Sequence, residues 1–233
     1  MSTSPLRYLA AVALMLVFGL TTTGCSSMNN TGRGAVIGAG AGGAVGAVIG
    51  RATGSTARGA IIGAAVGGTA GAVIGRQMDR QADELDDELE NADVTPIPGE
   101  DGETAGIAIR FDNALLFDLG QATLRPGVRA DLTDLASSLR NYSDHDAVVV
   151  GHASTDGPTD FNQTLSERRA RAVEDFLVGQ GVSAVRLQAY GRGESEPLAG
   201  IDGESPMNRR VEIAIYPNEQ YRQNVQANPG AYN

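Results

Sequence analysis

Apolar and polar positions divide the chain into stretches with different periods. Residues 9–20 form an uncharged apolar run of 12, shortly after Arg7. At ~1.5 Å per residue this run is too short for a hydrocarbon core of roughly 30 Å. With its basic start it predicts a secretory signal peptide over residues 1–24. Residues 33–51 and 58–76 are near-copies offset by 25, identical at 14 of 19 positions. Each predicts a helix, and the polar turn at 52–57 predicts an antiparallel hairpin over 33–76. Met78, Ala82, Leu85 and Leu89 extend a helical stripe beyond the second copy. Pro96, Pro98, Gly99 and Gly102 with a run of acids then read as an extended tether, so that 77–103 is an acidic helix and linker.

From residue 104 the pattern changes to that of a packed module. Residues 106–111 alternate as a strand, and 115–118 read as a short extended piece. Pro126 opens a helix to about Tyr142, with Val128, Leu132, Leu135 and Leu139 inward. A buried strand at 147–150 ends in Gly151. A helix follows from about Asp160 to Gly179, with Leu165, Ala172, Val173, Phe176 and Leu177 inward. Strands at 185–190 and 210–216 complete an α+β order of β-α-β-α-β-β over 104–217, with helices on one face of a mixed sheet. Residues 218–233 read as a disordered tail.

Charge sharpens these boundaries. The chain has 233 residues and a net charge of −10, and all 18 bases are Arg. Residues 1–78 carry five Arg and no acid, whereas 79–103 carry 11 acids and one Arg. An acidic chain is a poor match for nucleic acid, where phosphate contacts dominate affinity. One Cys and two His exclude a disulfide framework and a Cys-based metal cluster and leave few options for a His-rich metal site. The acidic run lacks the spacing of a calcium loop, and no cofactor is implied.

The repeats carry a glycine spine. Gly34, Gly38, Gly42, Gly46 and Gly50 recur every four residues, as do Gly59, Gly63, Gly67, Gly71 and Gly75. Such stripes permit close helix approach in lipid, whereas flexible linkers pair Gly with Ser. Seven of the 17 residues from 34 to 50 are Gly. At ~1 kcal/mol each relative to Ala, the helix is handicapped by about 7 kcal/mol and needs a partner helix, a bilayer or both. Arg33, Arg51, Arg58 and Arg76 bracket the copies, where they could snorkel to headgroups. The pattern leaves open whether the hairpin inserts, lies on a membrane or forms a homo-oligomer.

Several ordered motifs carry a family resemblance. Gly24-Cys25-Ser26 after the apolar run resembles a bacterial lipoprotein box, although Thr22 stands where Leu is usual. The resemblance implies cleavage before Cys25, a lipidated N-terminus over 25–32 and, with Ser26 rather than Asp, outer-membrane sorting. Leu116-Phe117-Asp118 through Pro126-Gly127, Gly151-His152-Ala153, Asn162 with Leu165-Ser166 and Arg169-Ala170, Tyr190-Gly191, and Asn208-Arg209-Arg210 resemble the OmpA-like C-terminal domain. The OmpA-like domain also occurs in Pal-type lipoproteins, the glycine repeat resembles the zipper segments of outer-membrane lipoproteins, and the whole layout resembles YiaD-type lipoproteins.

That resemblance implies noncovalent binding of peptidoglycan through the diaminopimelate of its stem peptide. In the family an Asp takes the ligand ammonium and an Arg forks onto its carboxylate. Arg169 matches the Arg. The Asp is absent: Gly-His-Ala-Asp reads Gly151-His152-Ala153-Ser154 here. Either Asp156 substitutes, or Ser154 serves as a neutral acceptor, or the ligand binds weakly or differs. The candidate ligand-binding residues are Arg169, Asp156, Ser154, His152, Asn162, Asp118 and Arg209. For Arg169 the bland alternative is an ion pair with Glu167 or Asp160. His152, Ser154 and Asp156 alternate as a hydrolase triad would, but triad members come from separate segments and no nucleophile elbow surrounds Ser154. The chain is therefore expected to be no enzyme. It is expected to be an outer-membrane lipoprotein on the periplasmic side that tethers the membrane to peptidoglycan. The alternative is a zipper-built membrane or oligomeric protein whose OmpA-like domain has weak or altered ligand binding.

Overall fold

The computed structural model describes residues 55–65, 68–99 and 102–232. The signal peptide, Cys25, the first glycine repeat with Gly34, Gly38, Gly42, Gly46 and Gly50, and Gly67 of the second lie outside the described residues.

Five strands form one sheet in the order β1-β2-β5-β3-β4. They are β1 (Asp93–Pro98), β2 (Thr104–Asp112), β3 (His145–Gly151), β4 (Leu187–Gly191) and β5 (Arg210–Pro217). Every neighbouring pair is antiparallel except β3 and β4, which run parallel. A parallel neighbour needs a long crossover, and α5 (Thr159–Gly179) supplies it. The α+β order expected for the module is thus present.

Alternation along each strand splits the core in two. Ile107, Ile109 and Phe111 of β2, Ala147 and Val149 of β3, and Ile213 and Ile215 of β5 face a three-helix layer. That layer is α2 (Gly68–Glu88), α4 (Arg129–Asn141) and α5. Val148, Val150 and Ala214 point to the opposite face, where α1 (Thr56–Gly63) packs with Ala57 and Ile61. The sheet is therefore covered on both faces, not on one.

This arrangement corrects the reading of the second glycine repeat. It is not one helix of a hairpin. It breaks after Gly63, and its halves end up on opposite faces of the sheet. Ser55 caps α1, its side chain accepting from the Arg58 amide at 3.3 Å. Ile61, fully buried, sits over Gly106: a Cβ there would lie 2.6 Å from Ile61 Cγ2 and 2.5 Å from the Ile215 carbonyl oxygen. The glycine needed for close approach is thus in the strand, and the zipper half supplies the knob. Gly71 and Gly75 are buried in α2 with Ala70, Val73 and Ile74.

The acidic segment is also part of the fold. α2 continues to Glu88, burying Met78, Ala82 and Leu85 while its acids stay exposed. An amphipathic stripe docks whatever the charge on its other side. Residues 93–98, read as tether, pair with β2 as an edge strand. Pro96 and Pro98 are tolerated there because an edge leaves amides without ladder partners. The tail is not disordered: α6 (Glu219–Ala227) is capped by the Asn218 side chain, and Tyr221 and Val225 are buried. Tyr221 donates its hydroxyl to Gln77 of α2. Finally, the extended piece expected at 115–118 is a short helix, α3 (Asn113–Leu116), followed by a bridge from Phe117 to Leu124. No helix among the described residues is long and apolar enough to cross a membrane.

Candidate functional site

The site forms where the parallel pair β3 and β4 ends and α5 begins. Gly151 and Gly191 close those strands side by side. A Cβ on Gly151 would collide with the Ser166 carbonyl oxygen. The bare strand ends let α5 lie directly on them, and this sets Arg169 one turn beyond Ser166.

The loop between β3 and α5 is held from α5. Asn162, almost fully buried, donates through Nδ2 toward the carbonyls of Ser154 and Asp156, each at 3.1 Å, and toward Glu194 Oε2 at 2.7 Å. Ala153 adds a backbone bond to the Gly193 carbonyl at 2.7 Å. Fixed in this way, the Ser154 hydroxyl donates to Asp156 Oδ2 at 3.0 Å. Arg209 Nη1, arriving from the start of β5, reaches the same oxygen at 3.1 Å and Ser154 Oγ at 3.4 Å.

Arg169 is oriented by backbone rather than by an acid. Its Nε donates to the Gln121 carbonyl at 2.9 Å, its Nη2 faces the Asp118 carbonyl at 3.5 Å, and its guanidinium lies 5.3 Å from the centre of the Phe117 ring. Neither Glu167 nor Asp160 pairs with it among the described ion pairs. Burial, with nearby Arg209 adding to it, pushes its pKa down to about 10, so it stays charged at neutral pH. Arg169 and Arg209 thus offer two guanidiniums to a ligand carboxylate, with Asp156 already beside Arg209. Asp156 is half-exposed and already shared with Arg209.

Ser154, Asp156, Asn162, Arg169 and Arg209 are brought together. Asp118 contributes its carbonyl, while its carboxylate lies 3.7 Å from Arg125 Nε. His152 is a correction. Its side chain is fully buried and turned away from the loop, with Nε2 4.0 Å from Glu212 Oε2. Neither ring nitrogen has a hydrogen-bond partner among the described residues. Burial, reinforced by Arg210, pushes its pKa down to about 3. It makes no bond to Ser154 or Asp156, and the alternation of a triad fails because the chain leaves the strand at Gly151. Glu194, which grips both Asn162 and Thr159, was not foreseen. A single acid in a turn carries no sequence signal.

Two family models match the chain: the YMGG-like Gly-zipper over residues 1–79 and the OmpA family over residues 116–210. Outer membrane protein A of Shigella flexneri is 37% identical over 136 residues, spanning 52% of this chain and 38% of that protein. The Escherichia coli (strain K12) protein named "Probable lipoprotein YiaD" is 35% identical over 143 residues, spanning 60% of this chain and 63% of that one. The chain therefore spans less than two thirds of the length of either relative. A crystal structure of a MotB-like protein from Desulfovibrio vulgaris shares the fold with a TM-score of 0.54 at 20% identity, covering 64% of this chain and 99% of that one. The chain thus joins a segment that matches the YMGG-like Gly-zipper model to one that matches the OmpA family model.

Proposed function

We propose that the protein is an outer-membrane lipoprotein that binds peptidoglycan noncovalently and ties the membrane to the wall. The observation that supports this most directly is Arg169. It is buried, held by the carbonyls of the 118–121 turn, and near enough to Arg209, the partner of Asp156, to feel its charge. The side-chain terminus of diaminopimelate carries an ammonium and a carboxylate on one carbon. Arg169, with Arg209 close by, takes the carboxylate. Asp156 takes the ammonium from two residues beyond the usual position, and the Ser154 hydroxyl turns its carboxylate toward the site. His152 supports the sheet from behind and does not touch ligand.

Acyl chains on Cys25 hold the membrane end, since each buried CH₂ contributes ~0.8 kcal/mol. Of residues 77–103, read from sequence as the spacer, the helix to Glu88 and the strand Asp93–Pro98 are packed on the domain and add little reach. Because the second repeat is used by the domain, a homo-oligomer through glycine stripes would rest on the first repeat.

Sedimentation of the full chain with isolated peptidoglycan tests the reading. Wild type should pellet with the wall, and Arg169→Ala and Asp156→Ala should stay in solution. Pelleting of both variants at the wild-type level would refute this site as the ligand centre.

A further inference from the structure

One loop, residues 192–196, is bonded on one side to the cap of α1 and on the other to the ligand loop. On the cap side, the Thr56 amide donates to Glu196 Oε2 at 2.9 Å and the Thr56 hydroxyl donates to Glu196 Oε1. Arg192 Nε donates to Thr56 Oγ1 at 2.8 Å and lies 3.3 Å from Glu196 Oε1. On the ligand side, the Gly193 carbonyl accepts from the Ala153 amide, and the Gly193 amide donates to Ser166 Oγ at 2.9 Å. Glu194 receives Asn162, the residue that clamps the carbonyls of Ser154 and Asp156.

A second route runs in parallel. Ser55 Oγ donates to Glu212 Oε2 at 2.7 Å, and Arg210 Nε donates to Glu212 Oε1 at 2.7 Å. Arg210 Nη2 returns to the Glu196 carbonyl at 3.2 Å, and the Arg210 carbonyl accepts from the His152 amide at 2.9 Å. Arg209 and Arg210 thus serve opposite faces of the sheet: one meets Asp156, the other the cap of α1. These contacts are mostly part-buried and partly charged, so losing a member costs more than losing a fully exposed surface pair.

We infer that Ser55 and Thr56, at the start of the seated half of the glycine repeat, are positioning residues for the ligand loop, acting through residues 192–196. This rests on the proposed binding of the stem peptide at Arg169 and Asp156. Seating of α1 fixes the 192–196 loop, which fixes Asn162 and with it Ser154 and Asp156. Linkage makes the effect reciprocal: occupancy of the site tightens the cap, and release of the cap weakens the grip.

The test uses the full chain in detergent micelles, with a soluble stem peptide containing diaminopimelate as the probe. Thr56→Val keeps the shape and removes the hydroxyl, and Thr56→Ser restores it. Binding should weaken about tenfold in Thr56→Val and recover in Thr56→Ser, although Thr56 does not lie at the site. In wild type, the peptide should slow amide exchange in residues 59–63. Without peptide, Thr56→Val should speed exchange at residues 153–156. Wild-type affinity in Thr56→Val, or unchanged exchange at 153–156 without peptide, would overturn the coupling. If wild type fails to bind the peptide while Thr56→Val still loosens 153–156, the coupling stands and the ligand assignment falls.

Discussion

Lowering the pH from 7 to 5 should cost the fold about 4 kcal/mol through two buried histidines. His145 and His152 are each fully buried, and each has its pKa pushed down to about 3. Around His145 burial acts first and Arg186 adds to it; its Nδ1 lies 2.6 Å from Gln81 Oε1, and its ring stacks on Tyr142. In the unfolded chain both titrate near 6.5. Between pH 6.5 and 3 the unfolded state therefore binds protons that the native state refuses, and stability falls as pH falls. For one such group at pH 5 the loss is RT ln(1 + 10^1.5), about 2 kcal/mol. Urea unfolding of wild type, His145→Gln and His152→Gln at pH 7 and pH 5 measures this. Each substitution alters stability at pH 7 but should remove about half of the pH dependence. Carboxylates such as Asp146 and Glu174, whose pKa values burial raises, contribute equally to all three proteins and cancel in the comparison. The same pH dependence in both variants as in wild type would refute the reasoning.

Gly106→Ala should cost about 1–3 kcal/mol by overpacking, and limited proteolysis should then cut first within residues 55–65, because Ile61 can no longer seat. Leu85→Ala should cost about 2–5 kcal/mol in urea unfolding; a near-zero effect would mean that α2 does not pack on the sheet as described. Asn162→Ala leaves two loop carbonyls without their donor, at about 1–3 kcal/mol, and should speed amide exchange at 153–156 more than in β3.

The strands and the helices of the packed module were legible because their periods are unambiguous: Ile107, Ile109 and Phe111 alternate, and Leu132, Leu135 and Leu139 keep helical spacing. The acidic segment was harder. Its stripe of Met78, Ala82, Leu85 and Leu89 was visible, but a stripe does not say what it docks against, and Pro96 and Pro98 resemble a linker as much as an edge strand. The glycine period misled in a similar way. A four-residue spacing announces close approach to something, and lipid, a second helix and a sheet all satisfy it. For Ile61 the partner is Gly106, distant in sequence. At the site, Arg169, Asn162 and Asp156 stood out as side chains. Their supports did not, because the acceptors for Arg169 are the carbonyls of Asp118 and Gln121, and every residue carries a carbonyl.

The central claim is that Arg169, aided by Arg209, takes the ligand carboxylate while Asp156 takes the ammonium. Calorimetric titration of the full chain with two stem peptides tests it most directly. One carries diaminopimelate; the other carries lysine at the same position, which keeps the ammonium and lacks the carboxylate. The account predicts binding of the first and a loss of about 1.5–3 kcal/mol, roughly 10- to 150-fold, for the second. Equal affinity for the two peptides would contradict it.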